Sequence, residues 1–330
     1  QEDNLLSLSY GDIKIPKFFL EKIGAPVFVF NSPNFTTLYK NKRPNIFATV
    51  LDNAVHSMYF RKSIQFVKGK ILEYKPDAVI NFYELITGMA FAYYKFDDKQ
   101  GIKFICVGHH YVLLNPNYKT STEQDVKYYF LRMLSKATCQ RATKLLALSF
   151  RDMPGSKEKR IVVVPPLLRR EVFEVEPTQG NYIHGYMLNT GYYDEVMDWH
   201  MKHPEIPLRF FWDKKGADDV TVIDDNLILY RLNDTLFLKS MAGSMAYSTT
   251  SGFESVCEAL YYQKPILMIP VHVEQEFNAY DAGLSGAGIS SNNFELSKLI
   301  DFIPNYQPDK HFRDWVHQAE DLFIKEICED

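Results

Sequence analysis

The sequence has few cysteines and no spacing typical of metal ligands. Its 330 residues include only four, without a Cys-x-x-Cys pair or a Cys/His pattern: Cys106, Cys139, Cys257 and Cys328. This composition excludes a disulfide framework and makes a structural zinc site improbable. An Asp-x-Asp triplet is also lacking, and we interpret the acidic pairs at 97–98, 218–219 and 224–225 as loop charges. We therefore expect no bound metal.

A long apolar run and a strong charge imbalance are lacking as well. No stretch reaches the roughly 18 apolar residues that a membrane-spanning helix needs, and no signal-peptide pattern heads the chain. The net charge is only −4, with acidic and basic residues interspersed, which argues against a nucleic-acid-binding protein. Because 46% of the residues are hydrophobic, we expect a well-packed, soluble, cytoplasmic protein.

The length and the order of apolar segments predict two α/β domains. A chain of 330 residues suits two domains of about 150 residues each. Short apolar runs predict strands at 26–30, 78–82, 103–107, 145–148, 160–164, 182–188, 208–212, 227–230 and 265–269. Helical periodicity predicts helices at 16–23, 51–72, 122–144, 193–203, 235–240 and 310–327, and around Gly88 and Asn278. Pro165 and Pro166 favour neither element, so we place the domains at 1–165 and 166–330.

Residues 245–282 carry the clearest functional pattern. An apolar run, 245–247, leads into hydroxyl side chains and Gly252, and apolar residues then recur at helical spacing. Ser251 and Glu254 form a capping-box pattern, which predicts a helix that begins at about Gly252. The free amides and positive dipole end of such a helix suit a phosphate or diphosphate, provided that the turn is open. An ordinary capped helix would show the same local pattern.

Further polar residues are expected near this turn. Glycine at position 252 has no Cβ to hold a ligand away, whereas an ionised Glu254 would repel a diphosphate unless its side chain folded onto the cap. The strand predicted at 265–269 is followed by Glu274, Gln275 and Asn278. In doubly wound sheets ligands bind at the carboxyl ends of the strands, so these groups and Glu258 suit the hydroxyls of a ribose and a hexose.

The run Thr250-Ser251-Gly252-Phe253-Glu254-Ser255-Val256-Cys257-Glu258, with Glu274-Gln275 behind it, resembles a known donor-sugar signature. It is similar to that of GT-B glycosyltransferases that use nucleotide sugars, including the plant and bacterial UDP-glycosyltransferases and the N-acetylglucosaminyltransferase of peptidoglycan synthesis. The whole chain also resembles a group of uncharacterised prokaryotic glycosyltransferases. That likeness rests on residues 15–24, on Ser32-Pro33-Asn34-Phe35 and on Val107-Gly108-His109-His110.

The resemblance implies a fold and a set of donor contacts. The fold would be GT-B, with two Rossmann-like domains facing across a cleft and a C-terminal helix crossing back to the first. The donor-binding residues would be Thr249, Thr250, Ser251, Gly252, Phe253, Glu254, Glu258, Glu274, Gln275 and Asn278. Among them, Thr250 to Gly252 would hold the diphosphate, Glu258 the ribose, and Glu274 with Gln275 the sugar. Related enzymes hold the base where Leu232 and Asn233 stand here. We expect Glu258→Ala to abolish UDP binding and leave thermal unfolding almost unchanged.

Further candidate residues lie outside this run. Asn189, Thr190 and Gly191 follow the strand predicted at 182–188, where they would either contact the diphosphate or form an ordinary turn. His109, His110 and Glu84 follow two predicted strands and are the candidates for the catalytic base, although packing or solvation of each is an alternative. GT-B enzymes of this type usually open with a glycine-rich loop that carries a histidine. Residues 1–10 contain neither glycine nor histidine, so we interpret that opening unit as missing or divergent.

The helix predicted at 122–144 has an apolar face made by Val126, Phe130, Met133, Leu134 and Ala137, with basic residues elsewhere. Those basic residues fit a solvated face, and contact with an anionic membrane surface is the alternative.

Together these patterns predict transfer of a hexose from a nucleotide diphosphate sugar, most simply a UDP-sugar, to an unknown acceptor. The resemblance implies inversion. Independence from any metal or cofactor is expected, because helix amides and hydroxyls would stabilise the leaving diphosphate. Two alternatives remain open: a UDP-sugar 2-epimerase of the same fold, and a non-catalytic nucleotide-sugar-binding protein.

Overall fold

The computed structural model describes residues 8–10, 24–32, 57–119, 126–188, 190–214 and 216–328. These residues form two compact units: the described residues up to 148 together with 153–164, and residues 149–152 together with the described residues from 165 onward. The N-terminal unit thus ends at residue 164, next to the predicted boundary. The predicted helix 16–23, residues 33–35 of the resemblance and the predicted donor contact Asn189 lie outside the described residues.

Short apolar runs build the strands of the N-terminal unit. β1 (Leu8–Tyr10) and β2 (Val27–Val29) form a parallel pair. A second sheet contains β3 (Ala78–Phe82), β4 (Lys103–Gly108), β5 (Lys144–Leu148) and β6 (Ile161–Val164), all parallel and in chain order. The five strands predicted between residues 26 and 164 are confirmed to within one residue at each end.

Helices connect these parallel strands. They are α1 (Ser57–Tyr74), α2 (Leu85–Tyr94), α3 (Phe96–Gln100), a 3-10 helix (His109–Leu114) and α4 (Val126–Thr138). Gly88 lets α2 approach the end of α4, because a Cβ built at this position would lie 2.4 Å from the Thr138 carbonyl oxygen.

Two apolar segments of this unit are exposed. The run of β3 is typical of a buried strand, but Ile80 and Phe82 are 41% and 64% exposed. The apolar face predicted on helix α4 includes Val126, Phe130 and Met133, and these side chains are exposed. Its buried residues are Tyr128, Leu131, Ser135 and Thr138.

Hydrogen bonds explain why polar residues occupy the inner face of α4. The Ser135 hydroxyl pairs with the Tyr83 hydroxyl at 2.8 Å, and the Thr138 hydroxyl pairs with that of Tyr111 at 3.0 Å. Because each hydroxyl has a partner, its burial carries little penalty. A pattern of apolar spacing contains no information about such partners.

The C-terminal unit contains a seven-stranded sheet. Its strands are β7 (Ile183–Met187), β8 (Leu208–Trp212), β9 (Val220–Val222), β10 (Leu227–Arg231), β11 (Ala246–Thr249), β12 (Ile266–Met268) and β13 (Gly288–Ser290). Their order is β13-β12-β11-β7-β8-β10-β9, and every neighbouring pair is parallel except β10 with β9. The predicted parallel α/β class is therefore confirmed in both units.

The helices of this unit follow the predicted order, with one difference at the end. They are α5 (Arg170–Phe173), α6 (Tyr193–His200), α7 (Asp234–Ala242), α8 (Phe253–Tyr261), α9 (Val273–Leu284), α10 (Leu296–Phe302), α11 (His311–His317) and α12 (Ala319–Cys328). The prediction of a single helix at 310–327 is wrong, because the segment forms two helices that are separated at Gln318.

The sheet of the C-terminal unit is buried beneath aromatic and aliphatic side chains, including Phe210, Trp212 and Leu267. His184 on β7 is fully buried, and its Nδ1 pairs with the Ser240 hydroxyl at 3.0 Å, as expected for a core histidine. In the part of the chain that the structure describes, no helix is both long and apolar enough to span a bilayer.

Candidate functional site

The seven-stranded sheet has a topological switch point between β7 and β11, where the direction in which the chain adds new strands reverses. From β7 the chain continues outward to β8, and from β11 it continues outward on the other side to β12 and β13. The two central strands are parallel, with Thr249 opposite Tyr186, so their carboxyl ends lie at the same edge. Ligands of open α/β sheets bind at this kind of switch point. The turns after β7 and β11 are therefore the candidate site.

The turn after β11 does not contain the predicted capping box. Ser251 has a left-handed φ of 64°, and Gly252 is the N-cap residue of α8 with no side chain bonded to the cap. Ser251 lies one residue too early to cap, because the left-handed bend places Gly252 at the start of the helix. Glu254 is exposed in the first turn of α8.

The hydroxyl side chains of the turn are sealed from solvent. Thr249, Thr250 and Ser251 are at most 1% exposed. The expectation that the Thr250 and Ser251 side chains face an open diphosphate site is therefore not met in this structure, since the chain folds them inward. The open surface of the turn is made by Gly252, Phe253 and Ser255, which are all partly exposed.

The amino end of α8 lies beside that open surface. The first intrahelical bond runs from the Val256 amide to the Gly252 carbonyl at 3.2 Å, so the amides of residues 253–255 precede it. A Cβ built on Gly252 would meet only the Ser255 hydroxyl, at 3.7 Å. The Ser255 hydroxyl itself donates to the Gly252 carbonyl at 3.3 Å. This geometry suits an anion at the helix terminus.

Two buried polar atoms next to the turn lack partners. The Asn278 side chain donates from Nδ2 to the Ser251 carbonyl at 3.1 Å. Among the described residues, neither Asn278 Oδ1 nor Ser251 Oγ has a hydrogen-bond partner, although Asn278 is 1% exposed and Ser251 is fully buried. Buried polar atoms are rarely left unsatisfied, so both atoms call for a polar partner such as a buried water inside the turn.

Helix α9 brings the predicted sugar contacts to the end of β12. Glu274 is partly buried in the first turn of α9, where burial raises the pKa of its carboxyl group and the nearby His272 acts against the rise. Gln275 is 6% exposed, and its Oε1 accepts a hydrogen bond from the Val271 amide at 2.9 Å. This bond fixes the loop before α9. The predicted contacts of Glu274 and Gln275 with a sugar stay predictions.

Two other turns supply predicted contacts. Thr190 and Gly191 are exposed in a short 3-10 turn, Thr190–Tyr192, that follows β7 at the switch point. Leu232 follows β10 and is 41% exposed. Asn233 caps α7 by accepting from the Leu236 amide at 2.9 Å, which gives its side chain a structural task.

Glu258 is engaged by an arginine that the sequence did not indicate. Arg169 donates from Nε to Oε1 at 2.7 Å and from Nη2 to Oε2 at 3.3 Å, and Glu258 is 5% exposed. Burial raises the pKa of Glu258, while Arg169 lowers it in part. We therefore now expect Glu258→Ala to lower the stability of the fold, because the substitution would remove the partner of a half-buried guanidinium.

The candidate bases lie in the N-terminal unit and are all at least partly buried. His109 Nδ1 donates to the Leu148 carbonyl at 2.8 Å, which leaves Nε2 as the ring atom that can take up a proton. Burial lowers the pKa of His110 to about 4, which makes it a weak base at neutral pH. These features favour His109 over His110, and the assignment of a base stays a prediction.

Glu84 has a clear structural role. Its carboxylate caps α2 by accepting from the Ile86 amide at 2.9 Å, and it accepts a second bond from the Ser32 hydroxyl at 2.7 Å. Burial raises the pKa of Glu84, and both bonds oppose that rise. With these two hydrogen bonds, the Glu84 carboxylate stabilises the loop after β3.

Sequence reasoning missed two residues of the candidate site. Ser255 could have been found, because it occupies the third position of the predicted helix and its hydroxyl can reach the same turn. Arg169 could not have been found. It lies in an irregular segment without a motif, and its partner is 89 positions away in the sequence. Among the described residues, no group of three or more His, Cys, Asp or Glu side chains could hold a metal ion.

Solved structures with a similar fold include glycosyltransferases. The chain matches the glycotransferase of kitacinnamycin at 14% identity and a TM-score of 0.63, covering 97% of this chain and 91% of that one. Arabidopsis thaliana UGT89C1 complexed with UDP-L-rhamnose matches at 15% and 0.59, covering 98% and 91%. Phytolacca americana UGT2 complexed with UDP-2fluoro-glucose and pterostilbene matches at 13% and 0.57, covering 97% and 88%. The predicted GT-B fold class is thereby confirmed.

A family model and the curated proteins give different results. No curated protein matches the chain at a significant level. The model described as glycosyl transferase family 1 matches residues 20–306, which include the turn after β11, helix α8 and both candidate histidines. The chain therefore belongs to glycosyl transferase family 1.

Proposed function

We propose that this glycosyltransferase moves a hexose from a UDP-sugar to a hydroxyl-bearing acceptor, with inversion and without a metal ion. The observation that carries the proposal is the amino end of α8, which opens beside Gly252 at the switch point of the seven-stranded sheet. Two of the similar structures contain uridine diphosphate sugars, which supports UDP as the nucleotide. The acceptor's chemical class is left open beyond its hydroxyl.

The chemistry follows from the charge that develops as the sugar leaves. Departure of the diphosphate places negative charge on its oxygens while the sugar becomes oxocarbenium-like. The amides of residues 253–255, which precede the first intrahelical bond, the positive dipole end of α8 and the Ser255 hydroxyl would stabilise that charge. A base on the acceptor side, with His109 the favoured candidate, would take the acceptor proton. None of these roles requires a metal, so we expect turnover to persist in EDTA.

Gly252→Ala tests the diphosphate site. We expect affinity for UDP, measured by calorimetry, to fall about tenfold or more, because the methyl group would stand between the phosphate and the helix amides. Stability should change by less than about 1 kcal/mol. The backbone of Gly252 (φ −65°, ψ 133°) is open to alanine, and the loss of a good N-cap is offset by a less flexible unfolded chain.

Gly283→Ala is the matched control. Gly283 lies in α9 with nothing within 4 Å of a built Cβ, so UDP affinity should be unchanged and stability slightly higher. If Gly252→Ala bound UDP like the parent, the site would not be at this helix. Formation of an epimerised sugar from the donor alone would instead favour the 2-epimerase.

We further propose that the exposed face of α4 contacts an anionic membrane surface. Val126, Tyr129, Phe130 and Met133 are 80%, 65%, 43% and 49% exposed along one face. Arg132 and Lys136 are exposed on the same helix. An apolar stripe beside basic residues is the pattern of helices that lie in a membrane interface.

Co-sedimentation with vesicles tests this contact. The parent should bind vesicles rich in phosphatidylglycerol, and binding should weaken at high salt. Replacing Phe130 and Met133 together by serine should lower the bound fraction. Val222→Ser, at an exposed valine on β9 of the other unit, is the control and should have no effect. Equal binding of the parent to neutral vesicles would contradict the electrostatic part, and no binding would contradict the contact.

A further inference from the structure

One guanidinium connects two separate parts of the candidate nucleotide site. Arg169 lies in the irregular segment 165–169, directly before α5. Its Nε and Nη2 contact both carboxylate oxygens of Glu258 on α8, at 2.7 and 3.3 Å. Its Nη1 lies 3.5 Å from the carboxylate of Asp234, the first residue of α7. The side chain thus joins the helix after β11 to the helix after β10.

The pairing leaves Glu258 able to bind hydroxyl groups. Each carboxylate oxygen has two lone pairs, and a side-on arginine uses one on each oxygen. The remaining two can accept hydrogen bonds from a pair of neighbouring hydroxyls, such as the 2′ and 3′ hydroxyls of a ribose. A two-point contact with arginine also fixes the rotation of the carboxylate, which a single bond would not do.

Burial makes this support necessary. Glu258 is 5% exposed, and an isolated carboxylate at such a position would favour its neutral form. A protonated carboxyl would offer one donor and fewer acceptor positions to a diol. Arg169 is the cation that contacts Glu258 directly, so the charge and the orientation of Glu258 both depend on it.

We propose that Arg169 is a positioning residue for the nucleoside half of the donor, holding Glu258 charged and oriented to read the ribose hydroxyls. This inference rests on the proposed function, because it deepens the ribose contact of the same site. Through Asp234, Arg169 also steadies the start of α7 beside Leu232 and Asn233, the expected contacts of the base. Recognition of ribose and base is therefore coupled through one side chain.

A purely structural clamp would behave differently from a positioning residue. Loss of a clamp would lower stability and weaken every nucleotide by the same factor. Loss of a positioning residue would weaken nucleotides according to the hydroxyls they carry. The ratio of affinities for UDP and 2′-deoxy-UDP isolates this difference, because the two ligands share their base and diphosphate.

The experiment measures both affinities by calorimetry for the parent, Arg169→Gln and Arg169→Lys. We expect the parent to prefer UDP by at least about tenfold, the usual value of one hydrogen bond to a charged group. Arg169→Gln should reduce the preference to within about twofold. Arg169→Lys keeps the charge without the planar fork, so its preference should lie between the other two.

Arg151→Gln is the matched control. Arg151 also pairs with a buried carboxylate of the same unit, donating from Nη1 to Asp281 Oδ1 at 2.7 Å. It should lower the unfolding temperature and leave the UDP preference at the parental value. Titrations at low temperature keep the variants folded, and Arg169→Lys alone decides the question if Arg169→Gln does not fold.

The possible outcomes separate the two proposals. A parental preference in Arg169→Gln and Arg169→Lys would overturn the positioning role and leave the proposed function intact. A parent that binds neither nucleotide would overturn the proposed function and this inference with it. A parent that binds both equally would show that Glu258 does not read the 2′ hydroxyl, which overturns the inference alone.

Discussion

Glu258→Gln should weaken UDP binding by at least about 100-fold. Two hydrogen bonds from ribose hydroxyls to a charged carboxylate contribute about 3–6 kcal/mol together, and a neutral amide retains only part of this. Glutamine has the same length, so it keeps the packing of α8 and leaves Arg169 one acceptor oxygen. The substitution therefore separates ribose recognition from folding better than alanine, which would remove every partner of Arg169 on α8.

Calorimetric titration with UDP measures the loss, and thermal unfolding without ligand measures the effect on the fold. Glu254→Gln is the contrasting variant, because Glu254 lies one turn earlier on α8 and is exposed. Removing its charge should leave UDP affinity equal or slightly higher, since a carboxylate beside the helix terminus repels a diphosphate. A Glu258→Gln variant that bound UDP within about threefold of the parent would remove Glu258 from the ribose site.

Mild acid should destabilise the C-terminal unit through His184. Burial lowers the pKa of His184 to about 3 from an ordinary value of 6.5, with Arg209 adding to the effect. The unfolded chain therefore binds a proton that the folded chain rejects. The contribution of His184 is fully present above pH 6.5 and is lost as the pH falls from there towards 3. At about pH 4.5 the loss amounts to about 2.7 kcal/mol.

His184→Gln should remove this pH dependence. The variant keeps a polar partner for Ser240, loses packing against the surrounding aromatic rings and should be less stable than the parent at pH 7. The difference in free energy of unfolding should shrink by about 2.7 kcal/mol at about pH 4.5. Tryptophan fluorescence during urea unfolding reports this unit, because Trp199, Trp212 and Trp315 all lie in it.

A surface histidine provides the comparison. His311 is exposed at the start of α11, so His311→Gln should follow the parental pH profile throughout. If the gap between parent and His184→Gln stayed constant from pH 7 to about pH 4.5, protonation of His184 would not be coupled to folding.

The parallel strands could be predicted because they are short, apolar and bounded by polar turns. Strand β8, Leu208–Trp212, has the predicted bounds, and its neighbours differ by one or two residues. Such runs are buried on both faces, so their composition alone indicates a strand.

The predictions that differ from the structure do so because of interactions that the composition of a segment does not reveal. Ser251 takes a left-handed conformation that is unusual for serine, so the cap moved to Gly252. Hydroxyl partners from Tyr83 and Tyr111 turned Ser135 and Thr138 inward on α4. The strand-turn-helix segment that carries the candidate site could be predicted from the sequence, while the burial of its hydroxyls and the pairing of Glu258 with Arg169 required the folded chain.

The short segment 149–152 has a practical consequence for engineering. Its contacts belong to the C-terminal unit, although residues 153–164 return to the N-terminal sheet. The Phe150 ring packs 4.8 Å from that of Phe253 at the start of α8, and Trp315 Nε1 donates to the Ser149 carbonyl at 3.4 Å. A chimera that exchanged the C-terminal unit at residue 165 would leave this tetrapeptide behind. Successful swaps should therefore graft residues 149–152 as a separate second insert.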